Sequence, residues 1–210
     1  MRLDYVREPE AIYEASFRQI AVLPELQGVP EPLCALATRL VHTCGMPDVV
    51  DDLHASADLS VRFETALRGG AAIFCDTDTM RHGIMRRLLP GGCELHCDVH
   101  APFVAVHAER CAMTRSAAQF ELWGERLNGQ VVAIGNAPTA LFRLLELMDE
   151  GVARPAAILA FPVGFVGAAE SKAELVRDPR GAAYATVLGR RGGAGMAQAA
   201  VNALAGGLGR

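Results

Sequence analysis

Short apolar runs alternate with helix-length amphipathic stretches from residue 71 onward. Apolar runs between turn residues are typical of buried strands, and apolar residues recurring at three- and four-residue spacing are typical of helices. Buried strands that are each followed by a helix indicate a parallel sheet with helices on its faces. We therefore predict an α/β fold, a single domain over residues 1–210 with a mainly parallel, roughly five-stranded sheet flanked by helices. The predicted strands lie in residues 71–75, 93–100, 131–135, 156–162 and 182–189.

The chain before this alternating part is predicted to be mostly helical. Ile12, Ser16 and Ile20 are each four residues apart, and Tyr13 and Phe17 lie beside them in the sequence. On a helix this spacing forms an apolar stripe. Ser16 is therefore predicted to lie on that stripe, as a polar side chain on an apolar face.

The carboxyl ends of the predicted strands lead into loops rich in glycine, small hydroxyl side chains and cations, at residues 76–80, 135–139, 161–172 and 189–196. Ligands of open α/β sheets bind beyond these strand ends. Glycine lets the backbone approach a ligand closely, and free N–H groups there favour anions. We expect the ligand at this edge, with Asn136 as the N-cap of the helix that follows its strand. The glycines in the loops at residues 161–172 and 189–196 do not have the spacing of a nucleotide-binding motif.

The composition is that of an ordinary globular protein with ample material for a core, because 51% of the residues are hydrophobic and 21% are charged. The net charge of −4 disfavours nucleic acid as a partner. The apolar runs are too short, or too interrupted by proline and glycine, to span a membrane. The charged N-terminus lacks the apolar region of a secretory signal. We therefore predict a cytoplasmic protein whose six cysteines are thiols.

The segment CELHCDVH at residues 93–100 admits two interpretations. On a helix, Cys93, His96, Cys97 and His100 would share one face and form a credible tetrahedral zinc site. On a strand, the cysteines and the histidines point to opposite faces and cannot converge. Strict alternation of apolar and polar residues after a Pro-Gly-Gly turn favours the strand. We therefore predict no metal site.

An arginine, a histidine and a cysteine close a predicted helix over residues 30–45, which stops at Gly45. Arg39 and His42 are three residues apart and therefore lie on one flank. A lone histidine near a helix end is most often structural, so a catalytic role competes with that simpler one. The helix end raises the imidazole pKa, whereas an adjacent arginine lowers it unless an anion lies between them. This arrangement suits a proton donor whose state depends on an anionic ligand.

Five motifs together resemble the precorrin-8X methylmutase family of cobalamin biosynthesis. They are AIYEASF, RLVHTCG, TRSAA, VVAIGNAPTALF and PAAILAFPVGFVGAAESK, which begin at residues 11, 39, 114, 131 and 155. The resemblance extends over nearly the whole chain and implies an α/β homodimer with its active site near the subunit interface. It also implies an isomerase without a cofactor that moves the ring C methyl group from C11 to C12. The substrate would be precorrin-8X, giving hydrogenobyrinate, or cobalt-precorrin-8, giving cobyrinate.

The resemblance assigns roles to individual residues. The family's catalytic histidine corresponds to His42, and its substrate-binding serine and arginine correspond to Ser16 and Arg39. Three further motif positions are expected to line the substrate pocket: Arg115, Asn136 and Lys172. Residues 85–112 are richer in cysteine and histidine than the resemblance leads us to expect, and it gives that segment no role.

The substrate that the resemblance implies is a flat, apolar macrocycle fringed with carboxylates. Such a ligand needs a broad apolar floor, which residues 156–169 could supply, and a rim of scattered cations. Arginine suits that rim because it binds a carboxylate with two parallel hydrogen bonds. A non-catalytic tetrapyrrole carrier with the same pocket remains the alternative. A carrier would release its chromophore unchanged, whereas a mutase would change the absorption spectrum.

Overall fold

A sheet with helices on both faces forms the centre of the protein. The computed structural model describes residues 3–206 and residue 208. Within this range the strands are β1 (Leu53–Ala55), β2 (Ile73–Cys75), β3 (Leu95–His96), β4 (Val131–Ile134), β5 (Ala157–Ala160) and β6 (Ala183–Val187). They form one sheet in the order β1-β6-β5-β4-β2-β3. Only the pairing of β1 with β6 is antiparallel, so a mainly parallel sheet is confirmed.

Helices cover both faces of the sheet, as the α/β prediction requires. In the described part of the chain they are α1 (Pro9–Ala21), α2 (Glu31–Cys44), α3 (Leu59–Arg68), α4 (Asp78–Gly83), α5 (Pro102–Arg110), α6 (Arg115–Trp123), α7 (Pro138–Asp149), α8 (Ala168–Arg177) and α9 (Ala194–Leu204). A 3₁₀ turn at Pro47–Val50 follows α2. No helix within residues 3–206 is both long enough and apolar enough to cross a membrane.

The central strands are buried on both faces, which explains their unbroken apolar sequences. In β4, Val131 and Ala133 pack into the core cluster that contains residues of α2, α3 and α9. Val132 and Ile134 face the opposite cluster, which contains residues of α6 and α7. All four side chains have no exposed surface. Strands with this burial lose the alternating pattern and appear as continuous apolar runs.

The strand β1 was not predicted, and with it the sheet has six strands rather than roughly five. It has three residues, includes His54, and is only half-buried along its length. It lies at the edge of the sheet and runs antiparallel to β6. So short and mixed a segment carries no recognisable apolar period.

Residues 93–100 divide their side chains between two faces, as the strand interpretation predicts. Cys93 and Cys97 pack against the same cluster as Leu95, while the ring of His96 lies 4.7 Å from that of Phe74 on the other face. The segment is less regular than predicted, because β3 has two residues and the chain turns at residues 99–100. The helical arrangement that would have gathered four metal ligands does not form.

The N-terminus of α7 is capped by a distant carboxylate. The prediction that Asn136 is the N-cap is wrong, because Ala137 occupies that position and makes no side-chain cap. Instead, the buried Asp76, which follows β2, accepts hydrogen bonds from the N–H groups of Gly135 (3.0 Å), Asn136 (2.8 Å) and Ala137 (2.9 Å). A protein carboxylate therefore occupies the place where the sequence predicted an external anion.

Candidate active site at the end of helix α2

The C-terminal end of α2 lies at the edge of the sheet formed by the carboxyl ends of the parallel strands, and it places a histidine there. The helix buries Leu36, Leu40 and Val41 against the core, so the opposite flank faces outward. Gly45 stops the helix with φ = 69°, and its N–H donates to the carbonyl oxygen of Val41 at 2.8 Å. The predicted helix and its end at Gly45 are confirmed. His42 is half-buried in the last turn.

Helix α1 brings Ser16 against this histidine. Ser16 Oγ and His42 Nδ1 share a hydrogen bond of 2.7 Å. The apolar stripe of α1 is narrower than predicted, because Ile20 is buried while Ile12 is 48% exposed. With Nδ1 engaged by Ser16, Nε2 has no hydrogen-bond partner among the residues described. This nitrogen is the one available for proton transfer.

Two aromatic rings of α1 hold the arginine and the histidine of α2 side by side. Tyr13 and Phe17 stack with ring centroids 4.5 Å apart. The His42 ring lies 4.9 Å from Phe17 and 5.5 Å from Tyr13. The Arg39 guanidinium lies 5.2 Å from the Phe17 centroid and 5.4 Å from the Tyr13 centroid, within cation–π range. The sequence placed the two α2 residues on one flank, but their shared aromatic support appears only in the fold.

The environment of His42 favours the neutral imidazole. Burial, and after it the positive charge of Arg39, lowers the pKa of His42. Of the two opposing influences on this pKa that the sequence indicated, the charge of Arg39, together with burial, therefore outweighs the helix end. A carboxylate that pairs with Arg39 would neutralise the charge of that arginine, as the sequence predicted for an arriving anion.

Two clefts are lined by residues of this group. The first, which we call the His42 cleft, has a volume of 230 Å³ and is lined by Ser16, Gln19, Ile20, Leu23, Val41, His42, Gly45 and Pro47. The second, the Arg39 cleft, has a volume of 480 Å³ and is lined by Pro9, Glu10, Tyr13, Glu14, Arg39, Met85, Arg87 and Leu88. Together they give the histidine and the arginine separate access to a ligand.

Arg115 and Asn136 lie at the same edge of the sheet but on other elements. Arg115 is the exposed first residue of α6, and Asn136 is exposed in the loop before α7. The two helix starts are joined by a hydrogen bond of 2.7 Å between Thr114 Oγ1 and Thr139 Oγ1. Within residues 3–206 no hydrogen bond or ring contact links this pair to His42, so their substrate-binding roles stay predictions.

Lys172 is buried rather than placed on a binding rim. It has no exposed surface, and its Nζ donates to the carbonyl oxygen of Arg191 at 2.5 Å. Burial, more than the nearby charge of Arg191, lowers the pKa of Lys172 to about 8. Its substrate-binding role stays a prediction, and the contact that the structure shows is with the glycine-rich loop after β6.

Ion pairs join the loop after β6 to the 3₁₀ turn that follows α2, and the sequence did not reveal them. Arg191 contacts Asp48 Oδ2 through Nη1 at 2.6 Å and Asp52 Oδ2 through Nη2 at 2.6 Å. Asp48 belongs to the 3₁₀ turn that follows α2. Nothing in the sequence connects residues about 140 positions apart, so only a search for cations in the predicted loops would have singled out Arg191.

One group within the described residues has metal-ligand geometry, on α5, on the residue after it and on α6. The ligand atoms of His107, Cys111 and Glu121 lie within 4.8 Å of one another. His107 Nε2 already contacts Glu121 Oε1 at 3.0 Å, and Arg143 contacts the other carboxylate oxygen at 2.9 Å. The carboxylate is therefore balanced by the protein itself.

Comparisons with known proteins agree on one family. The sequence profile of the family described as "Precorrin-8X methylmutase" matches residues 11–206. The chain is 51% identical to the precorrin-8X methylmutase of Pseudomonas aeruginosa over 97% of this chain and 98% of that protein. It is 37% identical to the cobalt-precorrin-8 methylmutase of Salmonella typhimurium over 96% of this chain and 97% of that protein.

A solved structure shows the same architecture. The precorrin-8x methyl mutase from Thermus thermophilus superimposes with a TM-score of 0.83 at 31% identity, over 93% of this chain and 94% of that one. The described residues therefore have a fold already seen in a protein of that name.

Proposed function

Because the chain belongs to the precorrin-8X methylmutase family, we propose that it is an isomerase that converts precorrin-8X to hydrogenobyrinate by moving the ring C methyl group from C11 to C12. The observation that carries this proposal is the Ser16–His42 hydrogen bond of 2.7 Å beside Arg39. These three residues are among those that the motif resemblance assigned to catalysis and substrate binding. The relatives described above are all named as methylmutases, and no observation supports the carrier alternative.

Movement of the methyl group requires a change in the π-system of the macrocycle. A proton delivered to a ring nitrogen, or a strong hydrogen bond to it, supplies that change. In this proposal His42 Nε2 delivers the proton and takes it back once the conjugated product has formed. Histidine suits both directions because its ordinary pKa lies near the working pH. Ser16 holds Nδ1 and so fixes the orientation of the ring.

The substrate's own carboxylates prepare the acid. Arg39 has no carboxylate partner among the described residues and lines the larger cleft. A peripheral carboxylate bound there would neutralise the charge that lowers the pKa of His42. Proton donation is thereby coupled to substrate binding, because the imidazole gains its proton most readily when the anion is in place.

The metal-free compound is the substrate we favour. The relative named for precorrin-8X is 51% identical to this chain, whereas the one named for cobalt-precorrin-8 is 37% identical. Incubation of the pure protein with each compound, followed by absorption spectroscopy, tests both the reaction and this preference. A spectrum unchanged in both incubations, although ligand is bound, would identify a carrier. Conversion of cobalt-precorrin-8 alone would reverse the substrate assignment.

We also propose that the protein is a cytoplasmic homodimer that binds no nucleic acid. The resemblance implies the dimer, and the net charge of −4 at pH 7 opposes attraction to phosphate backbones. Sedimentation equilibrium at micromolar concentration should give twice the mass of the 22.3 kDa chain. A mass equal to one chain would contradict the dimer.

A further inference from the structure

A third cleft lies beyond the end of α2 and shares no lining residue with the Arg39 cleft. We infer that it binds a carboxylate-bearing side chain of the tetrapyrrole together with the apolar edge of the ring to which that side chain is attached. This assignment rests on the proposed function. The cleft, which we call the Arg190 cleft, has a volume of 310 Å³ and is lined by Met46, Val163, Gly164, Phe165, Arg190, Arg191, Gly192 and Met196.

The Arg190 cleft and the His42 cleft are neighbours along the chain. Met46 lines the former, while Gly45 and Pro47 on either side of it line the latter. Residues 45–47, which follow α2, therefore form the wall between the two clefts. A ligand as broad as a tetrapyrrole that covers His42 would extend over this wall.

The loops that form the Arg190 cleft are held in place by the protein. The N–H of Gly193 donates to the carbonyl oxygen of Phe161 at 2.8 Å, and the N–H of Gly164 donates to that of Arg190 at 3.3 Å. Gly192 packs so closely that a Cβ there would lie 2.3 Å from the Phe161 oxygen. Lys172 fixes the same loop from beneath. A surface that is ordered before binding loses little entropy on binding.

The chemistry of the cleft is that of a flat ligand with an acidic fringe. Phe165 is 84% exposed and Val166 is 89% exposed. The guanidinium of Arg190 lies 5.3 Å from the Phe165 centroid and pairs with no carboxylate in the described part of the chain. Its neighbour Arg191, in contrast, contacts two aspartates. An exposed aromatic face next to an unmatched cation favours an apolar ring that carries a carboxylate.

Arg39 lies within α2 and Arg190 lines a cleft beyond the end of that helix, so the two would hold the macrocycle at different points. Two cationic contacts with His42 between them fix which part of the ring lies over the imidazole. Orientations that bring no carboxylate to one of the two arginines would leave that cation unpaired, which disfavours them. Arg190 is therefore a positioning residue, since its effect on the reaction is exerted through the placement of the substrate.

Binding of hydrogenobyrinate, the proposed product, tests this assignment by isothermal titration at low and high salt. Arg190→Gln should weaken binding about tenfold or more at low salt, and raised salt should reduce the difference. Arg154→Gln is the matched control, because Arg154 is exposed and precedes β5 at the opposite edge of the sheet. A second ligand, hydrogenobyrinate with its carboxylates converted to primary amides, should bind equally well to Arg190→Gln and to the wild type. Phe165→Ala should weaken both ligands alike.

Steady-state kinetics give an independent test of the role of Arg190. Arg190→Gln should raise KM several-fold with kcat largely retained, because the lost contact is made in both ground and transition states. The assignment is overturned if Arg190→Gln behaves as Arg154→Gln, if it weakens the acid and the amide equally, or if Phe165→Ala changes the sedimentation mass without changing affinity. Failure of the wild type to bind or convert any tetrapyrrole would instead overturn the proposed function.

Discussion

Replacement of His42 tests the proposed chemistry most directly. General acid–base catalysis typically contributes a factor of about 10² to 10⁴ in rate, which corresponds to about 3–5 kcal/mol of transition-state stabilisation. His42→Asn cannot transfer a proton but is short enough to fit and can still hydrogen-bond to Ser16, which lies 2.7 Å from His42 Nδ1. We expect this variant to bind substrate and to lose at least a hundredfold in turnover, on the order of the lower limit for proton transfer.

The cost of this substitution to folding should be small enough to separate from catalysis. His42 contacts two aromatic rings, at 4.9 and 5.5 Å, and each such contact contributes about 0.5–1.5 kcal/mol. His42→Phe keeps this stacking and loses the hydrogen bond to Ser16, so the two variants disturb different contacts. A fall in melting temperature of several degrees, measured by circular dichroism, is the expected extent in His42→Asn.

Single-turnover absorption spectroscopy, with binding measured separately, is the assay that decides. Both variants should bind with near-normal affinity and fail to produce the product spectrum on the wild-type timescale. If either one binds normally and isomerises within a few-fold of the wild type, His42 is a structural helix-end residue. The proton donor would then have to be sought elsewhere in the clefts.

Three further substitutions test the electrostatics of the molecule. Arg39→Gln should weaken substrate binding by about 1.5–3 kcal/mol. Because Arg39 lowers the pKa of His42, this substitution should also move the loss of activity on the alkaline side to higher pH. A pH–rate profile that does not move would refute this coupling. Asp76→Asn should lower the free energy of unfolding in urea by about 1–3 kcal/mol, because an amide cannot accept all three N–H groups; unchanged stability would show that water replaces these bonds. Lys172→Met should remove a rise in wild-type stability between pH 8 and about 10, since only the unfolded chain keeps that proton in this window; parallel pH curves would contradict the lowered pKa.

The elements that could be predicted from the sequence are those whose structure is determined by residues close together in the chain. The helix over residues 30–45 was predictable because its stripe and Gly45 are set within a few turns, and β4 because both its faces are buried. β1 was not predictable, since a half-buried edge strand of three residues depends on β6 for its structure. The assignment of Ser16 came from motif resemblance, and its contact with His42 spans two helices. The Arg191 ion pairs and the Asp76 cap join residues far apart in sequence, which no periodicity can reveal.

The Asp76 cap also has a consequence for the phosphate-bearing metabolites that the protein does not bind at this helix. Many α/β proteins recognise phosphates through the backbone N–H groups where a strand leads into a helix. Here the N–H groups of residues 135–137 already bind an internal carboxylate. To bind there, a free phosphate or nucleotide would have to displace the Asp76 carboxylate and enter the site in which that carboxylate is fully buried. Anion recognition by the backbone at the start of α7 is thereby taken by the protein's own carboxylate, and the abundant phosphates of the cell find no competing site at this helix.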